Sequence, residues 1–152
     1  MTNGYEKLLV DLAMARVDFI VVGGVAVAFA GYVRATEDVD IIVQADDANV
    51  QRLLSALEDF GEGHARELSA SDFTMEEGAV RVVEDFPLDI FTKMSGHVYE
   101  DLLSSTGDHQ VGETTIRYLN AEGLIQLKEN SLRPRDRQDV QALRQITGDS
   151  IA

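Results

Sequence analysis

Three aspartates and a glycine pair are the residues of this chain best suited to chemistry. Asp38 and Asp40 alternate with Val39 and Ile41 at the head of a β-branched run, Ile41-Ile42-Val43. Successive strand side chains point to opposite faces, so the two aspartates share one face. Neighbouring carboxylates repel unless positive charge sits between them, and a divalent hard cation prefers oxygen ligands. Gly23-Gly24 ends the apolar run Phe19-Ile20-Val21-Val22 and opens a small-residue segment, 25–31, that reads as a short helix. Glycine lets backbone approach a phosphate closely, and a helix N-terminus offers free N–H groups. A phosphate cradle beside metal-binding carboxylates points to a triphosphate site.

Asp89 is the third acid. It lies in Leu88-Asp89-Ile90-Phe91, apolar on both sides. Buried acids are rare unless paired or bound to metal. If this strand neighbours the Asp38–Asp40 strand, Asp89 completes a three-carboxylate cluster. Such a cluster can hold two Mg²⁺ ions, with Mn²⁺ as a substitute, and Asp89 is then placed to help deprotonate an attacking hydroxyl. The alternative is a strand edge with Asp89 facing water. Arg34 and Thr36 precede the aspartates and are within reach of phosphates or metal-bound water; Thr36 equally suits a cap at the start of the strand. Glu37 alternates off the aspartate face. His64, His97 and His109 are scattered without metal-ligand spacing, and no Ser or Cys sits in a nucleophile motif. Neither a dinucleotide fingerprint nor a P-loop surrounds the glycines.

The elements that must position these groups are read from periodicity. Residues 4–16 place Leu8, Leu9, Leu12 and Ala13 near one helical face. Strands are expected at 19–22 and 38–43, with a helix at 25–32 between them. Asp46 suits the cap of a helix over 47–59, where Val50, Leu53, Leu54 and Leu57 recur at helical spacing. A short strand is expected at 64–68, and a hairpin of 73–75 with 79–84 about Glu76-Glu77-Gly78. Residues 98–103 read as helix. A second hairpin is expected about Gly112-Glu113, with strands at 110–111 and 114–118. Asn120 caps a helix over 121–131, and Pro134 starts a last helix to about 147 that Gly148 stops. The order predicts a single α/β (α+β) domain over 1–152, with a mixed sheet and two C-terminal helices.

Composition narrows the function classes. The chain of 152 residues has no cysteine, which excludes disulfides and Cys-type zinc or redox sites. No secretory signal is visible, and 19–31 is too short to span a bilayer, so a cytoplasmic protein without membrane contact is expected. The formal net charge of −14 argues against nonspecific duplex DNA binding. Five of the 13 basic residues, Lys128, Arg133, Arg135, Arg137 and Arg144, cluster near the C-terminus, where a local anion site fits. The acidic runs Asp46-Asp47 and Glu84-Asp85 read as solvated faces.

Val22-Gly23-Gly24, a gap of thirteen residues, Asp38-Val39-Asp40 and the later Asp89 together resemble the nucleotidyltransferase superfamily that includes DNA polymerase beta. The resemblance implies that Asp38, Asp40 and Asp89 bind two Mg²⁺ ions and that Gly23 and Gly24 contact the triphosphate of an NTP. Leu124-Ile125-Gln126-Leu127-Lys128 followed by Arg133-Pro134-Arg135-Asp136-Arg137-Gln138-Asp139 resembles the AbiEii-type nucleotidyltransferases, toxin components of abortive-infection systems. That likeness places Lys128, and less directly Arg133 and Arg135, near the nucleotide phosphates. The other reading is a solvated basic turn in which Asp136 and Asp139 pair with the arginines, and it is preferred for Arg137 and Arg144. The chain is short beside the full-length toxins, which bears on the acceptor more than on the nucleotide. The expected reaction is Mg²⁺-dependent transfer of a nucleoside monophosphate to a hydroxyl or phosphate acceptor: RNA, protein or small molecule. Two alternatives stand beside it. One is a non-catalytic or antitoxin-like module that binds a protein partner. The other is a small-molecule adenylyltransferase with an aminoglycoside-like acceptor.

Overall fold

A computed structural model describes residues 4–147. The first helix, α1 (Gly4–Met14), leads to strand β1 (Phe19–Val22) and directly into helix α2 (Gly23–Phe29). Strand β2 (Val39–Val43) and helix α3 (Asp47–Leu57) follow. Two 3₁₀ turns, His64–Glu67 and Ala70–Asp72, lead to β3 (Ala79–Val83) and β4 (Pro87–Phe91). A miniature hairpin of β5 (Lys93–Met94) and β6 (His97–Val98) precedes the single turn α4 (Tyr99–Leu102). The chain ends in β7 (Thr106–Val111), β8 (Thr114–Leu119), α5 (Ala121–Lys128) and α6 (Pro134–Thr147).

Six strands form one mixed sheet in the order β3-β4-β2-β1-β8-β7. β1 runs antiparallel to β2, β2 parallel to β4, and β3 antiparallel to β4. All four residues of β1 are buried, so both faces of the sheet are covered at its centre. Ile20, Ile41, Ile42, Leu88, Ile90, Ile116 and Leu119 are fully or almost fully buried, and Leu9, Leu12, Leu53, Leu57 and Leu124 supply the helical side of the core. α1 packs on β8 and α3, α2 on β1, β2 and α5, and α5 on α6.

Local chemistry fixes the helix starts. The Asp46 carboxylate accepts the Asn49 N–H at 2.8 Å and caps α3. Asn49 is itself fully buried. Its amide accepts the Asp18 N–H and donates to the carbonyls of Asp18 and Gln44, pinning α3 to the ends of β1 and β2. The Asn120 side chain accepts the Gly123 N–H and starts α5 in the same way.

The mixed α/β architecture and the two C-terminal helices are as expected; several boundaries are not. β2 begins at Val39, leaving Asp38 on the approach to the strand. α5 ends at Lys128, and the expected stop of α6 at Gly148 lies outside the described residues. The strand expected at 64–68 is instead a 3₁₀ turn, His64–Glu67, followed by an extended Leu68. Glu84 bends the chain there by accepting the backbone N–H groups of Glu62 and His64. Its side chain is only 3% exposed, so Glu84 is no solvated surface acid. The hairpin expected about 76–78 is absent. Residues 79–83 pair with 87–91 across 84–86, closed by the Glu84 N–H on the Phe86 carbonyl. Glu77 instead holds the tip of the β5–β6 hairpin through the N–H groups of Ser95 and Gly96.

Candidate active site

The sheet register assembles the site. Val22 of β1 lies opposite Asp40 of β2, Asp40 opposite Asp89 of β4, and Asp89 opposite Arg81 of β3. Four adjacent strands therefore carry one row of neighbouring side chains, and three of them are charged. Directly opposed residues sit about 5 Å apart at Cβ, close enough for carboxylates and a guanidinium to touch.

Within the row the charges are matched unequally. Arg81 donates from Nε and Nη2 to the two oxygens of Asp89 at 2.8 and 2.9 Å. The same Nη2 reaches Asp38 Oδ2 at 3.3 Å. This fork raises the Arg81 guanidinium above its ordinary value, chiefly through the hydrogen bond to Asp89. Asp40 receives no such partner. Desolvation, then repulsion from Asp89 and Asp38, pushes its carboxyl up to about 7, while Lys128 pulls the other way. Asp40 and Asp89 thus face each other across the paired strands with only Asp89 held by a guanidinium.

Beside the row is a cleft of about 380 Å³. Gly23, Gly24, Arg34, Thr36, Asp38, Asp40, Lys128, Arg133 and Arg135 all line it. Asp89 does not; it backs onto Asp40. The two glycines are there for space. Gly23 takes φ +68°, and a Cβ at that position would overlap the Asp40 carboxylate. A Cβ at Gly24 would lie 2.5 Å from Thr36 Oγ1. Thr36 also donates its hydroxyl to the Asp38 carbonyl at 3.2 Å, which is the strand-capping role open to it.

The basic residues divide into held and unheld. Arg34 faces the cleft, but its fork is closed on Asp139 of α6, which is fully buried. Lys128 is 2.8 Å from Asp136 and 3.3 Å from Asp139. Burial pushes the Asp136 carboxyl up, but hydrogen bonds from Lys128 and Ser131 outweigh it and hold it below the usual range. Arg133 is exposed and 3.9 Å from Asp136. Arg135 is exposed on the cleft and has no carboxylate partner among the described residues. Arg144 pairs with Glu129, away from the aspartates.

A divalent cation suits this donor set. Asp40 and Asp89 lie opposite each other and Arg81 bridges Asp89 to Asp38, an all-oxygen set of the kind a hard cation prefers, but as folded these three carboxylates do not bring one ligand atom each to within 4.8 Å of one another. Elsewhere, Glu62, His64 and Glu84 bring one ligand atom each to within 4.8 Å of one another. Both Glu84 oxygens are already engaged by backbone N–H groups there.

Two residues central to this geometry carry no motif. Arg81 is marked in the sequence only as a charge inside Ala79-Val80-Arg81-Val82-Val83, and Asp139 only as one acid in a basic turn. Among the described residues no helix is long and apolar enough to cross a membrane.

The fold recurs in solved structures. One is the lincosamide antibiotic adenylyltransferase LnuA with lincomycin bound, at TM-score 0.64 and 18% identity, covering 97% of this chain and 98% of that one. Another is ANT(2″)-Ia in complex with adenylyl-2″-tobramycin, at TM-score 0.59 and 11% identity, covering 96% and 88%. At such identities the likeness is one of fold. No curated protein matches the chain in sequence. Over residues 6–147 the sequence matches a family of its own kind, and the chain belongs to it: a nucleotidyltransferase of unknown function (DUF6036).

Proposed function

We propose that the protein transfers a nucleoside monophosphate from an NTP to a hydroxyl of a small-molecule acceptor. The observation that carries this reading is the row Asp40–Asp89 beside Asp38, set against a glycine-floored cleft with Lys128, Arg133 and Arg135 on its walls. Asp38, Asp40 and Asp89 would hold Mg²⁺, which when bound supplies charge neutralisation at the phosphates. Gly23 and Gly24 leave room for phosphate oxygens against backbone. Lys128, Arg133 and Arg135 offset the triphosphate charge, and Arg34 and Thr36 shape the wall they stand on. Once Arg81 releases its oxygens, Asp89 would take the proton of the acceptor hydroxyl as that hydroxyl's oxygen bonds to the α-phosphorus. The bond from that phosphorus to the bridging oxygen breaks, and pyrophosphate leaves. Most of the rate enhancement comes from positioning and fixed charge.

A small acceptor is favoured by the shared fold with LnuA and ANT(2″)-Ia along nearly the whole of this chain. The net charge of −14 suits a cationic one. The AbiEii-type toxin reading rests on Lys128 and the Arg133–Asp139 pattern, whose charges are largely engaged in internal pairs. The test is incubation with each labelled NTP and Mg²⁺, offered a panel of hydroxylated amines, cellular RNA and cellular protein in separate reactions. Label on an amine supports the reading; label on RNA or protein moves the acceptor class. Absence of Mg²⁺-dependent NTP binding by calorimetry, unchanged in Asp38→Ala, leaves a non-catalytic module that binds a protein partner.

A further inference from the structure

Asp89 as it stands is not free to bind a cation, because Arg81 donates to both of its oxygens. The guanidinium also reaches Asp38, so it lies between two of the three proposed metal ligands. We propose that Arg81 is a displaceable internal counter-ion, filling the space between Asp38 and Asp89 until a divalent cation takes it. This rests on the cation-binding reading above and goes beyond it, because it makes cation binding an exchange and not an addition.

Three observations support an exchange. First, Asp89 needs a partner when no cation is bound. Its side chain is 11% exposed between buried Leu88 and Ile90, and a buried carboxylate without compensation is costly. Second, Arg81 can leave. It sits on β3, the edge strand of the sheet, and its side chain is 52% exposed. A rotation about its own torsions carries the guanidinium into solvent without moving the core. Third, the two occupants are mutually exclusive on electrostatic grounds. A guanidinium in contact with both carboxylates would stand beside a divalent cation bound by the same oxygens, at a separation where like charges repel strongly. Asp40, on the other side of Asp89, is the ligand that Arg81 does not touch, so it offers a first point of attachment before the exchange completes.

The measurement is Mn²⁺ affinity by calorimetry at about pH 8, on wild type, Arg81→Gln and Arg81→Lys, each without nucleotide. Removing the competitor should tighten Mn²⁺ binding about tenfold in R81Q. R81K, with one ammonium in place of the fork, should fall between. Thermal stability should fall in R81Q without metal and recover with Mn²⁺ by more than wild type gains. In wild type, the Arg81 Nε–H resonance should be held in the metal-free protein and move to the solvent-exposed position on saturation with Mg²⁺. Equal or weaker Mn²⁺ binding in both variants, or an Nε–H signal unmoved by Mg²⁺, overturns the exchange and leaves the nucleotidyltransferase reading intact. Failure of all three proteins to bind Mn²⁺ takes down the cation site itself and this inference with it.

Discussion

Arg34 and Asp139 stand 105 residues apart in the chain and are joined by two parallel hydrogen bonds of 2.8 and 2.9 Å. The pair ties the loop that carries Asp38 to helix α6, and Lys128 shares the same carboxylate. Asp139 is fully buried, and the hydrogen bond to it raises the guanidinium of Arg34 above its ordinary value. Breaking a buried pair from one side strands the other charge. Asp139→Ala should therefore cost about 3 kcal/mol, or roughly 10 °C in Tm. Differential scanning calorimetry reads it directly. Arg34→Lys keeps the charge and loses the fork, so it should be destabilised less than Asp139→Ala and more than Arg144→Lys, whose partner is an exposed glutamate.

The glycine pair makes a sharper prediction, because its members are constrained for different reasons. Gly23 has a positive φ and no space toward Asp40. An alanine there pays about 1–3 kcal/mol for its backbone alone and also displaces an acid of the row. Gly24 has an ordinary φ, and its obstacle is Thr36. Gly24→Ala should thus regain part of its lost stability when Thr36 is changed to Gly, and Gly23→Ala should not. Chemical denaturation of the single and double variants checks the difference. Equal behaviour of the two glycines would show that the cleft floor is more pliable than the contacts imply.

Asp40 sets a pH dependence. Its folded-state carboxyl is raised from 3.8 to about 7, so the protonated form is the one that folding favours. A raised acid contributes stability fully below its unfolded value and loses it as pH rises through the folded one. In metal-free protein, wild type should lose stability relative to Asp40→Asn between about pH 4 and pH 7, and level off above that. The asparagine does not titrate in this range and supplies a level reference. Mn²⁺ affinity should run the opposite way, weakening about tenfold per unit as pH falls below the Asp40 midpoint, because binding then has to expel the proton. Parallel melting and calorimetric titrations across that range test both slopes.

The glycine turn and the aspartates were legible in the sequence because each rests on a local pattern. Val22-Gly23-Gly24 marks a strand running into a helix, Asp38-Val39-Asp40 marks alternation, and Asp89 stands out among apolar neighbours. What brings them together is register, and register is not local. The hairpin was expected at 76–78, and its true turn at 84–86 is what places Arg81 opposite Asp89. Without that turn nothing local in the sequence pairs Arg81 with Asp89. Arg34 was expected near phosphate for the same reason: its partner Asp139 arrives only when α6 folds back on the loop. The 3₁₀ turn at 64–67 escaped periodicity because a distant side chain, Glu84, makes it.

Lys128 separates structural pinning from a role in the site. It holds Asp136 and Asp139 from α5, and its charge also lowers the Asp40 carboxyl across the cleft. Lys128→Met keeps most of the aliphatic stem and removes the ammonium. Asp139 retains Arg34, and Asp136 retains Ser131 and Arg133, so the stability loss should stay near 2 kcal/mol. Without Lys128, burial and the neighbouring acids act on Asp40 unopposed, and its carboxyl rises further. The pH midpoint of Mn²⁺ binding should therefore move to the alkaline side. A residue that merely pins α5 to α6 would lower Tm and leave that midpoint in place. Affinity for NTP, measured at a pH above the new midpoint, gives the third readout: it should fall in Lys128→Met if the ammonium offsets phosphate charge, and stay unchanged if its charge is fully absorbed by Asp136 and Asp139.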